Sequence, residues 1–355
     1  MHLDRARGSP SCSTSAFVTV LSGERFAMPA ACLPHQLRQV GSACASMLLV
    51  YDDNDTTLPL PLLEKAYGVN HMVPFTRLKR RYTHYLQANV SNKTARATAA
   101  AGRRLADNPL DKKDTSVASS VAWQQWQENG FIKLWLWALP VQRAVYFDID
   151  VVFIRNVDFL LSVDAALAAT TCARPFFGTG LLVLEPSLER LGQLLEKARF
   201  VRLPWRGWLP FNGEAYVDVC SPQDDPYAHV RLFPNSSKPF DECRIAYGGR
   251  ERRRMPTACE GSWSEQSVIN SVFRGVHTDR FVALPEDVHE NPWLKVGFDA
   301  NRTSIFHFSG QPKPWHSPRT NCHGNNGNWS SRLEAMKVWD DRCKAVTLTW
   351  EQRHS

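Results

Sequence analysis

The spacing of apolar and polar positions predicts a chain that alternates between strands and helices. Apolar runs at residues 17–21 and 47–51 predict two strands, and residues 29–40 between them predict a helix. A strand–helix–strand order is typical of parallel sheets with helices packed on them. We therefore expect an α/β protein whose first part forms a parallel sheet.

Two later stretches also have helical periodicity. Residues 123–139 predict an amphipathic helix that ends before Pro140, and residues 187–201 predict another. One face of the second helix carries four leucines, Leu188, Leu191, Leu194 and Leu195. The pattern thus extends the α/β expectation beyond the first strands.

The length of 355 residues suits one large domain with elaborations. We expect a polar N-terminal segment at 1–15, a single domain at 16–318, and a Cys-, Asn- and Gly-rich tail at 319–355. In the tail we expect a short helix that runs to Cys343. Within the domain, residues 89–120 predict a polar insertion. Residues 202–261 predict an irregular elaboration, which we expect to be ordered because it contains three cysteines together with Trp205 and Trp208.

Two carboxylates interrupt the most apolar part of the chain. Asp148 and Asp150 lie within the apolar run of residues 143–153. Alternate side chains of a strand share one face, so we expect both carboxylates to point at one spot. Their mutual repulsion favours a hard divalent cation with phosphate oxygens. A second Asp-x-Asp occurs at Asp53 and Asp55, so the spacing alone is not specific, and the apolar residues on both sides of Asp148 and Asp150 are what favour a site there.

Three later segments add chemistry that fits a metal and a diphosphate. Residues 177–187 predict a glycine-containing turn that leads into a strand, and residues 264–270 predict the start of a helix. His307 and Lys313 then lie six residues apart, with Gly310 between them. Imidazole suits Mn²⁺ beside carboxylates, lysine suits a diphosphate, and glycine allows a close backbone approach.

In this order, the segments resemble those of glycosyltransferase family 8, the glycogenin-like nucleotide-sugar transferases. The resemblance extends from Ala16 to about Trp315 and includes a helix around Lys133 before the Asp-x-Asp strand. It implies a single GT-A-type, Rossmann-like domain with a mixed, mostly parallel central sheet. It also implies a UDP-sugar donor and Mn²⁺, with Mg²⁺ as the alternative ion. The tail resembles the plant glucuronosyltransferases of the same family.

The resemblance implies a role for each matching residue. The metal ligands would be Asp148, Asp150 and His307, and the catalytic residues would be Lys133, Glu265 and Gln266. Gln266 would support the anomeric centre in a retaining, front-face reaction. The donor would contact Ser22, Phe26, Lys133, Asp148, Ile149, Asp150, Gly178, Gly180, Gly310 and Lys313.

The chain departs from the family pattern at informative positions. Gly178 replaces an asparagine that contacts the donor sugar, Glu265 replaces an aspartate, and Phe26 stands where a tyrosine stacks near uracil. No tyrosine follows Tyr247, so the position at which glycogenin glucosylates itself is empty. We therefore expect a separate acceptor, either a glycan or another hydroxyl compound, which would bind near the 202–261 elaboration. The group transferred from the donor would be a hexosyl or a uronosyl group.

Two other functions fit part of the pattern. An apolar strand followed by Asp-x-Asp also resembles aspartyl-phosphate phosphatases, with Asp148 as the nucleophile and Asp150 as the acid and base. That motif normally lies near the start of a chain, whereas 147 residues precede Asp148 here, most of them in the strand–helix–strand pattern. The departures at Gly178 and Glu265 would also suit a non-catalytic sugar-binding relative.

Charge and cysteine content bear on partners and compartment. The net charge is +7, but the basic clusters are short, which favours solvated loops over nucleic-acid binding. No apolar run approaches the ~20 residues that span a bilayer. Nine cysteines favour the secretory pathway, such as the Golgi lumen, with a cytoplasmic chain of reduced thiols as the alternative. Six glycosylation sequons point the same way, at Asn54, Asn89, Asn92, Asn235, Asn301 and Asn328. A homodimer is a further expectation.

Overall fold

The computed structural model describes residues 12–44, 46–88, 131–171, 177–198, 265–273, 281–285, 287–290, 299–309, 313–315 and 329–354. The expected insertion at 89–120 and the elaboration at 202–261 lie outside these residues. So do residues 1–11, residues 319–328 of the tail, and Cys220, Cys243, Cys259 and Cys322.

A seven-stranded sheet forms the centre of the described chain, in the order β3-β2-β1-β4-β7-β6-β8. The first four of these strands are mutually parallel, β7 runs antiparallel to both of its neighbours, and β6 pairs with β8 in parallel. The expected α/β fold with a mixed, mostly parallel sheet is therefore confirmed. The seven strands are β1 Ser15–Leu21, β2 Met47–Tyr51, β3 Met72–Pro74, β4 Arg143–Phe147, β6 Leu167–Thr171, β7 Phe177–Leu184 and β8 Phe281–Leu284.

Helices pack around this sheet and leave both of its faces buried. Strand β1 shows why, since Phe17 and Leu21 join one apolar cluster, while Val18 and Val20 join the cluster on the other face. Strands buried on both faces are continuous apolar runs, which made β1 and β2 recognisable. The α-helices are α1 Ala27–Gln39, α2 Leu60–Tyr67, α3 Phe75–Ala88, α4 Leu188–Ala198, α5 Glu265–Val272 and α6 Trp329–His354.

A second, three-stranded sheet lies beside the end of β4. Its strands are β5 Val151–Phe153, β10 Ile305–His307 and β9 His289–Glu290, in that order. Strand β10 runs antiparallel to β5, which places His307 opposite Val151. This pairing brings a residue from late in the chain next to Asp150.

Three expected elements differ from the structure. The lysine-bearing segment of the predicted 123–139 helix is a 3₁₀ helix at Lys133–Ala138, and the part before residue 131 lies outside the described residues. The expected glycine turn at 177–180 is part of strand β7, whose backbone pairs with β4 on one side and with β6 on the other. The short helix expected to end at Cys343 continues to His354, since no proline or glycine interrupts it.

A disulfide joins the two ends of the described chain. Cys32 on α1 and Cys343 on α6 are bonded across 311 residues. The Gln36 amide nitrogen lies 3.3 Å from the Cys32 sulfur and 3.5 Å from the Cys343 sulfur. The Gln36 amide oxygen accepts a hydrogen bond from the Phe153 backbone nitrogen at 2.9 Å. The disulfide therefore holds α6 against α1, and Gln36 joins α1 to β5.

We predict that removing this disulfide lowers the free energy of unfolding by about 2–4 kcal/mol, because the open chain regains conformational freedom in the unfolded state. The variant is the double change Cys32→Ala and Cys343→Ala, measured by chemical denaturation. The matched control is Cys12→Ala with Cys44→Ala, which opens the second disulfide, across 32 residues. The long-range variant should lose more stability than the control, and an equal or smaller loss would contradict the prediction.

Candidate metal and donor site

Backbone hydrogen bonds fix the turn that contains the two aspartates. Strand β4 ends at Phe147, so Asp148 and Asp150 lie in the turn before β5 rather than on one strand face as expected. The Asp148 backbone nitrogen donates to the Gly180 carbonyl at 2.8 Å. The Phe308 backbone nitrogen donates to the Asp150 carbonyl at 2.8 Å. The turn is thus held between β7 and the end of β10.

The two carboxylates still converge, because they share a neighbour. His307 Nε2 lies 3.1 Å from Asp150 Oδ1 and 3.6 Å from Asp148 Oδ2. Each of the three residues offers one ligand atom, and these atoms lie within 4.8 Å of one another. Two carboxylate oxygens and an imidazole nitrogen are a suitable donor set for Mn²⁺ and related divalent cations. The three side chains could therefore hold a metal ion.

Oδ1 of Asp148, the oxygen that faces away from His307, contacts Lys133, which the sequence analysis predicted, and Tyr146, which it missed. Asp148 Oδ1 accepts hydrogen bonds from the Tyr146 hydroxyl and from Lys133 Nζ, the latter at 3.0 Å. Burial and the Asp148 charge raise the pKa of Tyr146 well above its ordinary value, so its hydroxyl stays protonated as a donor. Tyr146 precedes Asp148 by two positions, and this spacing in the sequence was a signal that could have identified it as a neighbour of Asp148.

The three predicted catalytic residues form one cluster beside Asp148. Lys133 Nζ lies 2.7 Å from Glu265 Oε1. Burial alone would lower the pKa of Lys133, but Asp148 and Glu265 raise it well above its ordinary value. Thr179 Oγ1 lies 3.4 Å from both Glu265 Oε1 and Gln266 Oε1. Thr179, which the sequence analysis missed, therefore links Glu265 and Gln266 to β7.

Asparagine 270 explains why α5 presents its first residues to this cluster. The Asn270 amide donates to the Phe177 carbonyl at 3.0 Å and accepts from the Phe177 nitrogen at 3.0 Å. The side chain is buried, so the paired bonds dock α5 onto the start of β7. The N-terminus of α5, with Glu265 and Gln266, is consequently fixed beside Thr179.

The other aspartate is compensated by a lysine from the loop after β10. Lys313 Nζ donates to Asp150 Oδ2, and it also donates to the Phe308 carbonyl at 2.7 Å. Burial alone would raise the pKa of the Asp150 carboxyl, but Lys313 and His307 hold it well below its usual range. Asp150 is therefore ionised at neutral pH.

The His307 imidazole packs against a glycine and a second histidine. A Cβ atom on Gly180 would lie 2.5 Å from His307 Cε1 and 2.6 Å from Nδ1, so only glycine fits there without displacement. On Gly178 a Cβ atom would meet nothing within 4 Å. The His289 ring lies 5.1 Å from the His307 ring, centroid to centroid. Burial lowers the pKa of His289 well below its ordinary value, so this ring is neutral.

The residues expected at the nucleoside lie at the same edge of the sheet. Ser22 directly follows β1, which runs parallel to β4, so both strands end at the edge that carries the aspartates. Phe26 makes an edge-on contact with Trp315 at 6.4 Å, and the Arg25 guanidinium lies 4.6 Å from the Phe26 ring. Ile149 packs against the core, and Gly310 lies outside the described residues.

The comparisons with known proteins gave structural similarities alone. No family model matches the sequence, and no curated protein matches it. Within the described residues, no helix has the length and apolar character to cross a bilayer.

Three solved structures illustrate what the chain is similar to. The glycosyltransferase GlyE of Streptococcus pneumoniae TIGR4 is 11% identical, with a TM-score of 0.48, and the match covers 96% of this chain and 64% of GlyE. The galactosyltransferase LgtC is 10% identical, with a TM-score of 0.43 and coverage of 93% and 95%. Mouse xyloside xylosyltransferase 1 is 9% identical, with a TM-score of 0.43 and coverage of 84% and 99%.

The chain thus spans 64% of GlyE, and it spans 52% of the bifunctional glycosyltransferase WbbM. All four of these structures have TM-scores below 0.5.

We predict that Gly180→Ala weakens Mn²⁺ binding by at least about tenfold, because the added methyl group displaces His307 and an altered support typically costs 10–100-fold in metal affinity. Titration calorimetry with Mn²⁺ alone measures the effect. Gly178→Ala is the matched control, since its methyl group enters open space two residues away on the same strand. Equal Mn²⁺ affinities for the two variants would show that Gly180 does not set the His307 position.

Proposed function

We propose that this chain is a retaining, Mn²⁺-dependent glycosyltransferase of the GT-A type, with a UDP-sugar as its donor. One observation supports the proposal most directly. Asp148, Asp150 and His307 converge at the edge where β1 and β4 end, beside the buried Lys133–Glu265 ion pair. Open α/β sheets bind their ligands at the carboxyl ends of the strands.

The charges of the site suit a metal–diphosphate ligand. Two carboxylates and an imidazole can hold a divalent cation, and Mn²⁺ is the proposed ion, with Mg²⁺ as the alternative. When bound, such a cation would neutralise charge that develops on the leaving diphosphate. Lys313 is proposed to contact the same phosphates, because its ammonium lies at the Asp150 carboxylate.

The remaining residues are proposed to contact the nucleoside and the sugar. Ser22 and Phe26, which follow β1, would hold the uridine. Lys133, Glu265 and Gln266 would hold the donor sugar, and Gln266 would support the anomeric centre. The carboxylates of Asp148, Asp150 and Glu265 are all engaged by lysines, which favours a front-face reaction over attack by an enzyme carboxylate.

The phosphatase alternative fits the geometry less well. That chemistry needs Asp150 to carry a proton as an acid, yet Lys313 and His307 hold its pKa well below the usual range. It also needs Asp148 as a free nucleophile, whereas Lys133 and Tyr146 both bond to this carboxylate. The non-catalytic alternative predicts donor binding without turnover, and the experiment below separates it from catalysis.

The proposal is tested by hydrolysis of UDP-glucose, UDP-galactose, UDP-xylose and UDP-glucuronate, each with and without Mn²⁺. Slow hydrolysis reveals the donor before the acceptor is known. We expect one donor to be cleaved with Mn²⁺ and none with excess chelator.

We also expect Asp150→Asn to abolish Mn²⁺-dependent UDP binding in calorimetry, because the variant lacks a charged ligand.

Two results would contradict the proposal in different ways. Unchanged UDP affinity of Asp150→Asn in Mn²⁺ would remove the metal site from donor binding. Tight donor binding by the wild-type chain without hydrolysis, and without transfer to any of a panel of glycan acceptors, would favour the non-catalytic alternative.

Replacing Lys313 should affect Mn²⁺ binding and UDP binding differently. Its ammonium and a divalent cation compete for the Asp150 carboxylate, so Lys313→Ala should bind Mn²⁺ alone at least as tightly as the wild type does. The same variant should bind UDP in the presence of Mn²⁺ more weakly. Its turnover of the UDP-sugar should fall by a factor that corresponds to ~2–4 kcal/mol of lost transition-state stabilisation, the contribution of one charge-assisted hydrogen bond. Calorimetry measures both affinities. Near-normal turnover would assign Lys313 to the support of Asp150 alone.

The acceptor and the compartment remain proposals as well. The absence of tyrosine after Tyr247 supports a separate glycan or hydroxyl acceptor over self-glycosylation at the glycogenin position. The Cys12–Cys44 and Cys32–Cys343 disulfides, with the sequons, support an oxidising compartment such as the Golgi lumen. A homodimer is likewise proposed from the sequence alone.

A further inference from the structure

Only one of the two ring nitrogens of His307 has a hydrogen-bond partner within the described residues, because Nε2 bonds to Asp150 Oδ1 at 3.1 Å. Histidine ligands usually donate their second ring nitrogen to a carboxylate or carbonyl, which fixes the tautomer and the ring. His307 Nδ1 is buried and has no such partner among the residues that the structure describes. The edge of the ring that carries Nδ1 must therefore be held by packing contacts.

His289 is the side chain placed to provide that contact. It is 3% exposed, and its ring centroid lies 5.1 Å from that of His307 at an interplanar angle of 33°. In the register of β9 and β10, His289 pairs with Ile305, which shares a strand face with His307. The two imidazoles therefore lie diagonally on one face of the small sheet.

A residue of the central sheet holds the His289 ring in place. Its Nδ1 lies 3.1 Å from Thr170 Oγ1, and Thr170 is a buried residue of β6. A polar contact in the interior restricts the ring more firmly than apolar packing alone, because the buried hydroxyl and nitrogen have few alternative partners. Thr170 thus links the central sheet to the packing of His307.

We propose that His289 is a positioning residue, which keeps the His307 imidazole directed at Asp148 and Asp150 through ring packing. The inference rests on the metal site proposed above. Gly180 supplies the complementary contact, since its backbone leaves no room for a Cβ atom beside His307. The His307 ring is therefore set by the close approach of Gly180 and by the His289 ring, in place of a hydrogen bond at Nδ1.

The test measures Mn²⁺ binding to the full chain, with Mn²⁺ alone as the probe. Calorimetry gives the Kd, and pulsed EPR gives the nitrogen coupling of a Mn²⁺-bound imidazole. We expect one imidazole nitrogen in the wild type and none in His307→Ala. We expect His289→Ala to raise the Kd by about 10–100-fold and to weaken the nitrogen coupling.

Three further variants separate positioning from general destabilisation. His289→Phe retains an aromatic ring and should restore most of the affinity, although it cannot bond to Thr170. Thr170→Val removes that bond without a large cavity and should raise the Kd less than His289→Ala does. His84→Ala changes an exposed histidine on α3 and should leave the Kd and the coupling unchanged.

Two results would overturn the inference while leaving the metal site intact. One is an unchanged Kd and unchanged nitrogen coupling in His289→Ala. The other is a wild-type spectrum with two imidazole nitrogens that falls to one in His289→Ala, which would make His289 a ligand. Failure of the wild-type chain to bind Mn²⁺ at all would instead contradict the proposed function.

Discussion

Two negatively charged carboxylates lie close together in a largely buried turn, and the surrounding structure is arranged to compensate them. Ligand atoms of Asp148 and Asp150 lie within 4.8 Å of each other, a distance at which two unit charges repel by about 3–4 kcal/mol at an effective dielectric constant of ~20. Lys133 compensates Asp148 and Lys313 compensates Asp150. Because Lys313 lies 163 residues after Asp150, the charges of this turn also join distant parts of the fold.

The compensation divides the oxygens of each aspartate between two tasks. Oδ1 of Asp148 faces Lys133 and Tyr146, so Oδ2 remains directed toward His307. Oδ2 of Asp150 faces Lys313, and its Oδ1 faces His307. One oxygen of each carboxylate is thus held by the protein while the other points at the shared histidine. The arrangement would suit the proposed cation, because the ligand atoms are oriented before binding.

Local sequence patterns predicted much of the fold and most of the clustered residues. Strands β1 and β2 and helix α1 were recognisable because each is a short apolar or periodic run. The aspartates stood out because they interrupt such a run. Thr179 and His289 were missed because their contacts depend on which distant segments become neighbours, whereas Tyr146 had a local signal in its two-residue spacing from Asp148. The Cys32–Cys343 bond spans 311 residues, and no local pattern encodes such a pairing.

Helix α6 shows how a distant segment can serve the same site. Arg332 donates to the Ser309 carbonyl at 3.2 Å, and Trp339 packs against Trp315 at 6.0 Å. These contacts hold the chain on either side of Lys313, while the Cys32–Cys343 disulfide fastens the helix to α1. If Lys313 contacts a phosphate as proposed, the loop would gain from such support, because ordering that is complete before binding does not weaken binding. The helix therefore links the stability of the fold to the position of Lys313.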